Sequence, residues 1–413
     1  MFIVQTQIFI SQVPTTAFPN RNNEFSLQFS VEIEANDSWA DFTNECKITL
    51  PKNYTYISTT GNPVKADNTA SNIGGFSVNV PLFLRGDEVT VIVGYRYKRK
   101  GVDFVDTATI FSGYISKVSS KKPFVLECED NMWKLKQLPA PNKLFKAADY
   151  NLEDMLAEML TGTPYTVNMI AQTDIGDFRT LNESVMDVLA RLRKDYHIEA
   201  YFRGNELRAG YLVVYMDPGN NYNFVFQENI IEDELEYIRR DDVVLSAVGY
   251  SVNTIAAGGI TKDGHAKTKQ VRYEVLVTLQ NRVFTSKITP PGQKADYPPN
   301  QTGQRRTFYY ADVTNTADLV SRVQSNLTKY YYTGFKGKFT TFGIPYVRQG
   351  DNVSLYDAVL PERNGQYKVK SVEYKMTIDS GLRQTIELDF QIKVLPNYTK
   401  AQINGFIKGG FPA

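Results

Sequence analysis

Apolar residues fall at every second position through Phe25, Leu27, Phe29, Val31 and Ile33. With this period one face of an extended strand meets a core and the other meets water, so the stretch predicts a single half-buried strand. Similar runs follow in the first third of the chain: "CKITL", "FSVNVPLFL", "VTVIVGYRY", "TATIFSGYI" and "FVLECE", parted by turn-forming clusters such as "TTGNP" and "NIGG". Short strands divided by turn signals predict a β-sandwich or barrel.

The period becomes helical at "NLEDMLAEML", where Asn151 is placed to cap and Asp154 to reach back, and Leu152, Met155, Leu156, Met159 and Leu160 share one face. A second helix, "LNESVMDVLARLRKDY", aligns Val185, Leu189, Leu192 and Tyr196. It runs into "HIEAYFRGNELRAGYLV", whose Gly204-Asn205 step predicts a tight hairpin. These apolar stripes read as packing surfaces rather than a cofactor site.

Strand patterning resumes near Ile230 with "DVVLSAVGYSV", "QVRYEVLVTL" and "RRTFYYADV". The Gly-rich "AAGGITKDGHAKTK" and the Pro-rich "ITPPGQKADYPPNQTG" interrupt it and are expected to be mobile or partner-ordered loops. One more helix, "NTADLVSRVQSNLTKYYY", carries Leu319, Val323 and Leu327 four residues apart.

Two β regions repeat the same order of features. Gly86-Asp87 precedes Val89 and a strand, as Gly350-Asp351 precedes Val353 and a strand. Each continues through a loop, tipped by Lys98, Arg99 and Lys100 or by Glu362, Arg363 and Asn364. A strand centred on Tyr114 or Tyr367 comes next, then one reading "LECED" or "IELDF". A Gly-Asp pair alone is a common turn former; four features in one order predict a duplicated β module. Any two antiparallel meanders share some of this patterning, which is the plainer reading. With two modules per chain, three chains would close a ring of six near-equivalent positions.

Composition narrows the picture. A chain of 413 residues points to two or three domains. Its 46 basic residues nearly cancel 45 acidic ones, so no overall field gathers nucleic acid. Cys46 and Cys128 are too few for a disulfide framework and read as buried free thiols. The opening "MFIVQTQIFISQVP" has no basic leader and reads as a strand of the mature protein. No apolar run approaches the roughly 20 residues of a membrane helix, so stable membrane insertion is not expected.

Three stretches together resemble the baseplate hub proteins of tailed phages and contractile injection systems, including the late control protein D family and the N-terminal part of type VI secretion spike proteins. They are "FSGYISKV...FVLECEDNMWKLK" at Phe111 to Lys136, "MDVLARLRKDYHIEAYFRGNELRAG" at Met186 to Gly210, and "GIPYVRQGDNVSLYD...ERNGQYKVKSVEY...GLRQTIELDF" from Gly343 to Phe390. The resemblance implies a mainly β fold with a minor α+β part: a tube-like β-barrel over 1–140, a helix-hairpin module over 141–228 and a second tube-like barrel over 229–413. It also implies a homotrimer forming a pseudo-sixfold ring that joins a hexameric tail tube to a trimeric spike or tip. The implied location is the virion tail or baseplate, assembled in the bacterial cytoplasm. Tape-measure and other baseplate proteins would be neighbours, and DNA would be present only in transit. Nothing after "QIKVLPNYTKAQINGFIKGGFPA" resembles a β-helical needle, so the spike is expected to be a separate polypeptide.

Candidate chemistry is sparse, and no catalytic, cofactor-binding or metal-binding residues are assigned. His197 and His265 are the only histidines, and neither has a metal-ligand or nucleophile spacing around it. A Cys128–His197 dyad competes with the reading of Cys128 as an interior strand residue. The acidic run from Glu232 to Asp242 offers carboxylates for a glycosidase pair, but interleaved Arg239 and Arg240 favour a solvated or interfacial charge network. The tip "YKRKG" and Arg305-Arg306 read as exposed loop charge rather than a DNA contact, and Tyr330, Tyr331 and Tyr332 as partly interfacial. The expected role is structural. A tail-associated cell-wall hydrolase is the alternative, and an outer-membrane barrel a third reading that lacks an export signal.

Overall fold

The computed structural model describes residues 2–395 apart from 52–54, 58–62, 66–68, 74–75, 81, 100, 120–123, 171–174, 197, 211–216, 239–243, 261–265, 281–282, 294, 296, 298–302, 311–312 and 329–333. Both histidines, Lys100 and Tyr330 to Tyr332 lie outside the described residues. The class is mainly β. No described helix is long and apolar enough to cross a membrane.

Thirteen strands form one sheet. In chain order they are β1 (Phe2–Ser11), β2 (Glu24–Leu27), β3 (Glu32–Ser38), β4 (Glu45–Leu50), β5 (Glu88–Arg99), β6 (Val102–Ser119), β7 (Phe124–Glu129), β8 (Asn221–Val225), β9 (Ile230–Ile238), β10 (Gly334–Phe342), β11 (Asn352–Tyr356), β12 (Gly365–Thr377) and β13 (Gly381–Val394). Their order is β9-β10-β13-β12-β3-β4-β7-β6-β5-β1-β2, with β11 also on β12 and β8 on β11. Strands β2–β1–β5–β6–β7–β4–β3 make one module and β8–β11–β12–β13–β10–β9 a second. They share the sheet through β12 and β3, antiparallel from Ser371 opposite Ser38 to Thr377 opposite Glu32. Two tandem tube-like β-barrels were expected; the class is mainly β as expected, the sheet order ends at β9 and β2, and no strand pairing closes either module among the described residues.

The duplication holds at the level of single hydrogen bonds. Gly86 and Gly350, both at positive φ (97° and 75°), donate to the carbonyls of Ile115 and Val369 at 2.8 and 3.0 Å. Those residues donate back to Asp87 and Asp351, each at 2.9 Å. From this corner β5 pairs with β6 as β11 pairs with β12, Val89 opposite Gly113 and Val353 opposite Tyr367. Tyr114 therefore corresponds to Lys368 rather than to Tyr367, one residue away from the match of tyrosines, and in a strand one residue exchanges faces. Both second strands then bulge at the same place, between Ile115 and Lys117 and between Val369 and Ser371. Cys128 stands opposite Ile115 as Leu388 stands opposite Val369. Among the described residues strand β1 has no counterpart: β2 is antiparallel to β1 and β1 to β5, whereas β8 lies directly and in parallel on β11.

The predicted strand through Phe25 to Ile33 divides in two. β2 ends at Leu27, Phe29 is 45% exposed, and Val31 donates to the carbonyl of Thr49 where the chain leaves β1 for β4. Compactness groups Met1–Gln137, Pro218–Glu236 and Lys336–Ala413 in one unit, and Leu138–Asp217 with Tyr237–Phe335 in another. This division differs from the consecutive segments 1–140, 141–228 and 229–413. The second module begins at β8, because β8 pairs with β11, and it is interrupted in sequence between β9 and β10.

The second unit contains the helices read from sequence. In α1 (Leu152–Met159) Asn151 and Asp154 form a reciprocal capping box, and the expected apolar face is buried. In α2 (Val185–Tyr196) Val185, Leu189 and Leu192 are buried and Tyr196 is half-buried. The hairpin at Gly204-Asn205 joins Glu199–Arg203 to Glu206–Gly210. In α3 (Thr316–Thr328) Leu319, Val323 and Leu327 pack with Ala247, Val275 and Val277 of a four-stranded sheet. The Gly-rich run expected as a loop is largely strand: Ala256–Ile260 and Ala266–Lys269 extend a hairpin whose tip lies outside the described residues. Pairing passes from Ala256 opposite Thr268 to Ile260 opposite Ala266 with a register shift between them, so the ladder is irregular at Gly258 and Gly259.

Candidate assembly surface

The sheet shared by the two modules has unlike faces. One carries Ile33, Ala35, Cys46, Ile48, Leu126, Cys128, Val372, Tyr374 and Ile386, all buried. The other carries Glu34, Lys47, Glu127, Glu373 and Glu387, which line a groove of about 710 Å³ spanning β12, β3, β4 and β7. Period-two alternation separates the two sets, with Asp37 of β3, opposite Val372, as a charge on the apolar side. Carboxylates outnumber lysines along this groove: Asp41, Glu45 and Glu129 join the four glutamates above against Lys47 and Lys370.

Ion pairs run across the strands here. Lys375 of β12 reaches Glu34 at 2.6 Å and Glu32 at 3.2 Å on β3; Lys117 meets Glu127 at 2.9 Å and Lys370 meets Glu387 at 2.7 Å. Hydrogen bonds donated to Glu34 and then Glu32 hold the Lys375 ammonium above its ordinary pKa. Such exposed pairs contribute about 0–1 kcal/mol each, so they set register more than stability.

The two Gly-Asp corners fix the ends of the modules. Asp87 is fully buried: Oδ1 accepts from the Val13 amide (3.0 Å) and Arg21 Nη1 (2.9 Å), and Oδ2 from the Leu84 amide (2.8 Å) and Arg21 Nη2 (2.6 Å). Asp351 repeats the backbone half of this scheme, accepting from the Asn220 amide at 2.9 Å and the Arg348 amide at 2.8 Å. A buried carboxylate is retained where several donors converge on it. These aspartates therefore act as structural pins, a role the bare Gly-Asp dipeptide does not disclose.

Cys46 and Cys128 face each other across β4 and β7 as free, buried thiols. Burial pushes both thiols up, opposite to what a nucleophile needs. The dyad of Cys128 with His197 involves a residue outside the described ones. Glu232, Asp233, Glu234 and Glu236 lie exposed along β9, a solvated edge rather than a cleft, while 239–243 are not described. Lys98 is exposed on β5, Arg306 is exposed, and Arg305 is half-buried beside Ser246. No cluster of three or more metal-ligating side chains occurs among the described residues.

Neither a family model nor a curated protein matches the sequence. Solved structures do match in fold. A tail protein from Neisseria meningitidis MC58 aligns over 94% of this chain and 96% of its own, with a TM-score of 0.52 at 11% identity. The 43 kDa tail protein of prophage MuSo2 from Shewanella oneidensis aligns over 93% and 97%, also with a TM-score of 0.52 at 11% identity. The fold is that of these tail proteins. The likeness spans both β modules and the inserted unit, so it concerns the whole architecture rather than one common β motif.

Proposed function

We propose that this chain is a structural component of a phage tail or baseplate, three copies of which close a ring that adapts a sixfold tail tube to a threefold spike or tip. The observation that carries this reading is the duplication: one chain builds the same module twice, down to the corner hydrogen bonds and the bulge. Three chains then present six similar modules, and closed symmetry leaves no unsatisfied copy of an interface. The likeness to tail proteins supports the setting.

In this reading function is association, not turnover. The charged face of the shared sheet borders the central passage, where its excess of carboxylates keeps phosphate-rich cargo from adhering. The tube protein seats on the six modules, and the spike or tip, with the tape-measure protein and other baseplate proteins, completes the assembly. Virion tail or baseplate is the location that follows, with assembly in the bacterial cytoplasm.

Native mass spectrometry of the purified chain, alone and with the adjoining tube and spike proteins, tests the stoichiometry. A species at three times the 46.8 kDa chain mass is expected. A chain that stays monomeric in both conditions overturns the reading.

A further inference from the structure

A row of polar residues crosses four strands of the second module. Asn221 of β8 is paired with Asn352 of β11, and Asn352 stands opposite Lys368 of β12. On β13 Leu388 stands opposite Val369 and Gln391 opposite Tyr367, so Asp389 and Phe390 lie between them, beside Lys368. Both members of the central pair are buried, Lys368 at 2% exposure and Asn352 at 8%. The Lys368 Nζ donates to Asn352 Oδ1 at 3.0 Å, while Asn352 Nδ2 donates to the Pro218 carbonyl at 2.7 Å and to Asn221 Oδ1 at 3.1 Å. The amide is thereby held with its carbonyl toward the lysine. Oδ2 of Asp389 is buried as well. Duplication does not account for the row, because the corresponding pair in the first module is Glu88 opposite Tyr114.

We propose that Lys368 and Asn352 join in an amide cross-link between β12 and β11, with loss of ammonia. The chemistry makes separate demands on the site. The nucleophile is an uncharged amine, and a low-dielectric interior disfavours an ammonium. The amine must be held against the amide, as the cross-strand register and the Nδ2 hydrogen bonds do; such positioning replaces a bimolecular encounter. A carboxyl must carry a proton from one nitrogen to the other, and the register puts Asp389 beside Lys368. No oxidant or further reactant is needed. The Nζ electron pair forms a bond to Asn352 Cγ, the Cγ–Nδ2 bond breaks, and Nδ2 leaves as ammonia with one hydrogen taken from Nζ. The product closes the hairpin across the loop between Tyr356 and Gly365, so β11 and β12 stay joined under a load that parts their hydrogen bonds. The inference does not depend on the ring.

Intact mass of the denatured full chain, with sequencing of its peptides, tests the cross-link. The chain is expected to be lighter than its sequence by one ammonia, and digestion to give a branched peptide in which Lys368 carries residue 352. Asn352→Asp is expected to give the same branch with loss of water in place of ammonia. Lys368→Arg and Asp389→Ala are expected to keep the full sequence mass with an unchanged circular dichroism spectrum. A parent chain that stays at full mass after prolonged incubation in the folded state overturns the proposal. So does a lost ammonia that sequencing locates in a succinimide at Asn364-Gly365 or Asn404-Gly405, with no branched peptide. A branched peptide from Asp389→Ala overturns the proton-carrying role of Asp389.

Discussion

Replacing Asp87 with Asn removes one charge and one acceptor from the most constrained corner of the first module. The carboxylate receives four donors, two from Arg21 and two from backbone amides. Whichever way the Asn amide turns, its NH2 faces two of those donors. Arg21 is itself only 3% exposed, so its guanidinium is left buried without its counter-ion. Losing one member of a buried pair costs about 3–5 kcal/mol, and the orphaned amide is part of that sum rather than an addition to it. With a urea dependence of about 3 kcal/mol per molar, the midpoint falls by about 1–1.7 M. The assay is local: the only tryptophans, Trp39 and Trp133, are buried in this module, and Trp133 packs beside Gly86. Adding Arg21→Met should recover part of the loss, because no unpaired charge then remains inside. A midpoint shift below about 0.3 M, or a double variant whose loss equals the sum of the singles, refutes the corner as a pin.

Burial raises the Asp130 carboxyl to about 7, against the opposing hydrogen bonds from the amide of Met132 and near Asn44. The folded state thus holds a proton that the unfolded chain releases near pH 4, so this contribution is complete below about pH 4 and is lost as pH rises through about 7. Asp130→Asn should match the parent at pH 4 and exceed it by on the order of 4 kcal/mol at pH 8, read from urea midpoints. Cys46 and Cys128 should react with a thiol reagent at pH 8 only after denaturation; prompt native labelling would contradict their burial. Gly113→Ala places a methyl 2.1 Å from the Glu129 carbonyl oxygen and 2.8 Å from the Asp130 Cα, and should cost about 1–3 kcal/mol or more in thermal unfolding.

Local structure was legible where the signal is local. The capping box at Asn151, the buried stripe of Leu319, Val323 and Leu327, and the two-residue turn at Gly204 each follow from a few neighbouring residues. The Gly-Asp corners were legible as a repeat, but not as buried pins, because their donors come from as far away as Val13 and Asn220. Register was less accessible. Matching Tyr114 to Tyr367 follows side-chain identity, whereas backbone pairing places Lys368 there. Long-range pairing of Ser371–Thr377 with Glu32–Ser38 leaves no mark in either segment taken alone, and it decides that the modules share one sheet. For the assembly surface, the acidic run beginning at Glu232 was visible as charge; its place on a terminal strand was not.

Electron cryomicroscopy of the purified assembly tests the central claim most directly. The account predicts a closed ring with true threefold symmetry and six similar β modules, alternating between a junction within a chain and one between chains. A particle with any other number of modules, or one in which the two modules of a chain occupy dissimilar positions around the axis, would contradict it.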